Sequence, residues 1–111
     1  MSDPTLLGEF EQVVLLATLR LGADAYGTTI RSEIVDRTGR SVSAGALYTT
    51  LERLEEKQLL SARVGEATPE RGGRAKRYLK VTPKGLTALA KAHDTYHRLL
   101  EGIQLPGVSH A

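Results

Sequence analysis

Leu6, Leu7, Phe10, Val13, Val14, Ala17 and Leu21 recur at helical spacing, and Leu15, Leu16 and Leu19 fill much of the remaining circumference. A helix apolar nearly all round is buried on more than one side, against its own core and against a second subunit. Gly22 supplies the stop. In "ADAYGTTIRSEIVDRTG", Tyr26, Ile30 and Ile34 make a narrow apolar stripe that Gly39 ends, while Gly27 lowers helix propensity at its start. "VSAGALYTTLERLEEKQLL" opens with Ser43 as an N-cap and buries Leu47, Leu51 and Leu54. Ala44, Gly45, Tyr48, Thr49, Glu52 and Arg53 fall on its other faces. Two short helices joined by a few residues containing Gly39 outline a helix-turn-helix.

The helical period is then lost. "LLSARVGEA" reads as a strand, "TPERGGRA" as a loop, and "KRYLKVT" as a second strand. Arg77, Leu79 and Val81 point one way along it, and Lys76, Tyr78 and Lys80 the other. Two strands around a glycine-rich tip predict a β-hairpin. Thr82 and Pro83 pair a capping hydroxyl with proline at the first helical position. The helix that follows carries Leu86, Leu89, His93, Tyr96, Leu100 and Ile103, a heptad seam. The expected class is therefore mainly α (α+β): a winged helix-turn-helix over residues 1–84 with a two-stranded wing at 60–82. A C-terminal dimerisation helix at 83–104 and a flexible tail at 105–111 complete it.

Charge sharpens this picture. The chain has 111 residues and a net charge of only +2. Residues 1–59 hold six Lys/Arg against nine Asp/Glu, whereas residues 60–84 hold seven against two. A local basic patch on a near-neutral body points to a polyanionic partner. Glycines in the same stretch let a backbone approach a duplex, and the cations replace counterions condensed on phosphate. The competing reading of this patch is a solvated charged loop.

The residues also carry a family resemblance. "SAGALYTTLERLEEKQLL" followed by "ERGGRAKRYLKVTPKG" resembles the PadR family of bacterial transcriptional regulators. The matching elements are the Gly-x-Leu-Tyr start of the recognition helix, the Leu-Glu-x-Lys-x-Leu-Leu run, the Gly-Arg-x-x-Arg-Tyr wing and the Thr-x-x-Gly helix start, and the resemblance spans residues 6–103. It implies a homodimeric winged-helix repressor of a palindromic operator, released by a small-molecule effector at the dimer interface. The matching family tyrosine suggests that the Tyr48 hydroxyl bonds a phosphate.

The expected DNA-binding set is Ser43, Ala44, Gly45, Tyr48, Thr49 and Arg53 on the recognition helix, with Arg71, Gly72, Gly73, Arg74, Lys76 and Arg77 in the wing. Small side chains at a helix N-terminus admit phosphate to free amides, and Arg71 is a candidate for the minor groove. Strand alternation keeps the wing cations from all facing DNA, so at least one is structural. The expected dimer interface is Phe10, Val14, Leu86, Leu89, His93, Tyr96, Leu100 and Ile103.

Other chemistries fit poorly. "GGRAK" lacks the Gly-Lys-Ser/Thr of a phosphate-binding loop and follows a strand rather than opening a helix. His93 and His97 are four apart, but no third ligand stands near, so His93 reads as a packing residue and no metal or cofactor is expected. Glu55 and Glu56 adjoin without facing each other, and no nucleophile–base set has supporting context, so an enzyme is not expected. The absence of cysteine fits a reducing compartment. No apolar run approaches a membrane span, and the first residues lack the basic start of a signal peptide, so the cytoplasm is the expected location. The alternative function is a winged-helix module that binds an acidic protein through the same surface.

Overall fold

The computed structural model describes residues 6–65 and 75–108. Its elements are α1 (Glu9–Leu21), a 3₁₀ turn (Gly22–Asp24), α2 (Gly27–Thr38), α3 (Ala44–Glu56), β1 (Leu60–Val64), β2 (Arg77–Val81) and α4 (Pro83–Leu100). The two strands pair antiparallel from Leu60↔Val81 to Val64↔Arg77.

One aliphatic core joins all of them. α1 contributes Val14 and Leu15, α2 Ile30 and Ile34, and α3 Leu47, Leu51 and Leu54; Leu60, Leu79 and Val81 close it from the hairpin and Leu89 from α4. α1 is the central element, contacting α2, α3, β2 and α4. That explains its nearly all-round apolar sequence without a second subunit for most of its faces. It begins at Glu9, three residues later than the apolar spacing predicts. The Gly8 amide donates to Glu11 Oε1 at 2.8 Å, and Lys57 Nζ, from beyond the end of α3, donates to Oε2 at 2.8 Å. Burial alone would raise the Glu11 carboxyl, but Lys57 and the Gly8 amide more than offset it and hold it below the ordinary carboxylate value.

The change from α3 to β1 is made at Gln58, whose φ of 64° lies in the left-handed region. The Thr82 hydroxyl donates to the Gln58 carbonyl at 2.7 Å, and the Thr82 amide donates to that of Leu59 at 3.1 Å. The same hydroxyl oxygen caps α4 by accepting from the Gly85 amide at 3.0 Å. One residue thus ties the base of the hairpin to the start of the last helix.

A further short pairing has no periodic signal. Tyr26 forms an isolated antiparallel bridge with Tyr78, and the Leu79 amide donates to the Ala25 carbonyl at 2.8 Å. The 3₁₀ turn delivers Ala25 and Tyr26 alongside β2 as a rudimentary third strand.

α4 departs from the expected seam. Gly85, Ala88 and Leu89 face its own core, but from His93 to Val108 every residue is exposed. The helix ends at Leu100, with Glu101 as its cap and Gly102 at φ 81°. Ile103 therefore lies beyond the helix, off the heptad line that the sequence extends through it.

Candidate nucleic-acid interface

α3 is presented as its buried stripe dictates. With Leu47, Leu51 and Leu54 inward, Ala44, Gly45, Tyr48, Thr49, Glu52 and Arg53 are all exposed. The Ser43 side chain accepts the Ala46 amide at 3.1 Å and caps the helix. A β-carbon at Gly45 would meet no atom within 4 Å, so this first turn stands open to an approaching surface. Arg53 lies two turns further on, where its charge also acts on Glu11.

Tyr48 is half-exposed and lies over the start of α2. A β-carbon at Gly27 would stand 2.7 Å from the Tyr48 hydroxyl. Gly27, which the sequence shows only as a weak helix former, is thus the residue whose smallness seats this ring. Between α2, α3 and β2 runs a groove of about 500 Å³ that includes Tyr26, Thr28, Tyr48, Glu52, Glu55 and Lys76.

Three of the described wing cations are each held by a partner. Lys76 Nζ lies 4.7 Å from the Tyr26 ring centroid and 3.4 Å from its hydroxyl. The Tyr26 hydroxyl and its partial charge push the Lys76 ammonium above its ordinary value. The Arg63 guanidinium, on β1, sits 4.5 Å over the Tyr78 ring, and the Tyr26 and Tyr78 rings meet edge to face at 5.5 Å. Arg77 forms a two-pronged ion pair with Glu55 of α3: Nη1 reaches Oε2 at 2.6 Å and Nη2 engages Oε1. Hydrogen bonding to Glu55 raises the Arg77 guanidinium further above an already high value. Arg77 thus reaches across to the recognition helix while its side chain stays more than half exposed. Arg71, Gly72, Gly73 and Arg74 lie outside the described residues.

The residues expected at a dimer interface divide. Val14 is fully enclosed by its own core and Leu89 nearly so, at 0% and 9% exposure. Neither has a surface to offer a second chain; the period that marks them as apolar does not say which neighbour covers them. Phe10 is half-buried with the Arg40 guanidinium 5.2 Å over its ring. Leu86, Tyr96, Leu100 and Ile103 are exposed, and so is Leu99, at 71%, which the heptad spacing omits. His93 is exposed and stacks on His97 with ring centroids 5.9 Å apart. No group of three metal-ligating side chains occurs among the described residues, and no helix among them is long and apolar enough to cross a membrane.

Comparison with known proteins bears on this arrangement. Residues 15–91 match the transcriptional regulator PadR-like family. An uncharacterised protein of Lysinibacillus sphaericus is 31% identical over 100 residues, covering 88% of this chain and 87% of the relative. The crystal structure of a PadR-like transcription factor from Bacteroides fragilis superposes with a TM-score of 0.69 at 28% identity over 85% of each chain. F93 from STIV, a winged-helix DNA-binding protein, shares the fold with a TM-score of 0.64 at 22% identity over 84% of this chain and 92% of its own. The helix-turn-helix and hairpin described above fall within that match, and the chain belongs to the PadR-like family of transcriptional regulators, which act by binding DNA and are not enzymes.

Proposed function

We propose that the chain acts as a homodimeric repressor, with α3 in the major groove and the wing on the adjacent backbone of a palindromic operator. The carrying observation is the open first turn of α3. A β-carbon at Gly45 would meet nothing within 4 Å, Ala44 and Thr49 are exposed beside it, and the half-exposed Tyr48 rests its hydroxyl end on Gly27. Small side chains at a helix N-terminus suit close approach to phosphate and base edges. Ser43, Ala44, Gly45, Tyr48 and Thr49 are the proposed recognition-helix contacts. Arg71, Gly72, Gly73, Arg74 and Lys76 are the proposed wing contacts, with Arg53 at the margin.

Dimerisation is supported by the distal half of α4. Tyr96, Leu99 and Leu100 are exposed on one helix segment, followed by exposed Ile103. Solvent-exposed apolar groups in such density mark an association surface. A two-fold pair places its recognition helices about 34 Å apart, one turn of duplex. Release by a small molecule is supported by a groove of about 520 Å³ beside the proposed interface, bounded by Leu19, Ala23, Ala62, Tyr78 and Leu86. Leu86 belongs both to this groove and to the heptad seam, so a bound apolar ligand would touch one of the proposed interface residues.

Selection of bound duplexes from a random pool tests the reading. The expected product is a pseudo-palindrome with half-sites one helical turn apart, and a reporter driven through that sequence falls in expression when the chain is present. Gly45→Leu abolishes selection while non-specific affinity persists. Capture of no duplex, with retention of an acidic protein instead, would transfer the surface to a protein partner.

A further inference from the structure

Arg77 stands in a run of cations, yet its surroundings differ from those of an outward phosphate contact. Its strand face is the one that carries Leu79 and Val81, both buried, so its stem leaves β2 toward the body. Both terminal nitrogens engage both carboxylate oxygens of Glu55. The Glu55 side chain is only 19% exposed, and Glu52, one turn away, adds to the negative field at Arg77. A fork-to-fork pair fixes angle as well as distance, which a lysine ammonium does not.

The position in the hairpin gives this contact leverage. Val64↔Arg77 is the outermost pair of the register, while Leu79 and Val81 hold the inner end of β2 against the core. Leu79 is tied to Ala25 and Tyr78 to Tyr26. Arg77 is thus the strand residue nearest the tip, and it is fastened to the helix that bears the proposed reading residues. A two-stranded ribbon secured only at its base pivots about that base; a second attachment further out removes the pivot.

We propose that Glu55 and Arg77 form a strut that sets the angle between the wing and the recognition helix, and that Arg77 is a positioning residue rather than a phosphate contact. This deepens the DNA-binding reading and rests on it. The strut lets α3 and the wing meet adjacent parts of one duplex without a separate ordering cost at each. The Arg77 side chain is 57% exposed, so the pair contributes little to global stability and its removal leaves a folded chain.

The test reads the angle first and binding second. The chain lacks cysteine, so Asp36→Cys and Ala75→Cys, both at exposed positions, accept a unique pair of spin labels. Double electron–electron resonance on the free protein is expected to show a narrow distance distribution in the parent. Glu55→Gln and Arg77→Gln each broaden it, and the exchanged pair Glu55→Arg with Arg77→Glu narrows it again. In duplex binding, Arg77→Gln lowers affinity for the selected site about tenfold, and the exchanged pair restores most of it, while the slope of log affinity against log salt stays unchanged. A distribution in Arg77→Gln as narrow as in the parent overturns the strut. So does a slope that falls by about one unit in Arg77→Gln with no rescue by exchange, the signature of a lost phosphate contact. If the distances behave as expected but the parent selects no duplex, the strut stands and the DNA-binding reading fails.

Discussion

Gly85→Ala and Gly45→Ala are the same chemical change at two helical glycines, and the structure gives them opposite signs. Replacing glycine by alanine inside a helix is worth up to about 1 kcal/mol in its favour. At Gly45 nothing stands within 4 Å of the added methyl, so a gain of some tenths up to about 1 kcal/mol is expected. At Gly85 the methyl would overlap the Leu59 carbonyl oxygen and come within 2.8 Å of Val81 Cγ1. The first of these is backbone and cannot rotate away. α4 would have to withdraw from the hairpin base, straining the bonds from Thr82 to Gln58 and Leu59, now at 2.7 and 3.1 Å. Overpacking costs about 1–3 kcal/mol, and each weakened hydrogen bond about 0.5–1.5 kcal/mol. Set against the propensity gain, Gly85→Ala is expected to lose about 1–5 kcal/mol net. Urea unfolding followed by circular dichroism at one fixed chain concentration measures both variants. An unchanged m-value with a shifted midpoint isolates stability. A Gly85→Ala midpoint equal to or above the parent's would refute the close approach of α4 to Leu59.

Glu11→Gln tests the α1–α3 pair through pH. The folded carboxyl lies below the ordinary carboxylate value, so its stabilisation is complete above the unfolded pKa and is lost as pH falls through the folded one. An acid titration of parent and Glu11→Gln should show a shallower fall in the variant, and parallel curves would count against the assignment. Tyr96→Glu with Leu100→Glu, both at exposed positions, should convert a dimer to a well-folded monomer in sedimentation equilibrium; an unchanged dimer would move the interface off distal α4. Gly27→Ala should leave the fold stable yet weaken duplex binding by displacing Tyr48, whose hydroxyl would stand 2.7 Å from the new methyl. Unaltered binding there would remove Tyr48 from the contact set. Thr49→Ala should change preference at one or two positions of a selected duplex by about 1–3 kcal/mol each, and an identical consensus would exclude Thr49 from base contact.

Much of the architecture is written locally in the chain. The stripe Leu47–Leu51–Leu54 determines which face of α3 is outward, because helical period alone fixes the angular position of every other residue on it. Ser43 and the Thr82–Pro83 pair mark their helix starts through hydrogen bonds to amides three residues away. The alternation in β2 likewise predicts that Arg77 shares a face with Leu79 and Val81. That Glu55, 22 residues earlier, is the group waiting on that face is a tertiary fact, since period names a face but not its occupant. The same limit hid the enclosure of Val14: an apolar position is equally consistent with its own core and with a partner, and only the packing of α1 amid four other elements decides between them. Gly27 looks in sequence like a weak point in a helix, whereas in space it seats the Tyr48 ring, and at Gly85 the Leu59 carbonyl comes too close for a side chain. Ile103 keeps its heptad spacing only on paper, because the chain leaves the helix after Leu100 and Gly102 takes a positive φ. Sequence specified what depends on neighbours a few residues away; contacts between distant segments, set by the closing of the core, specified the rest.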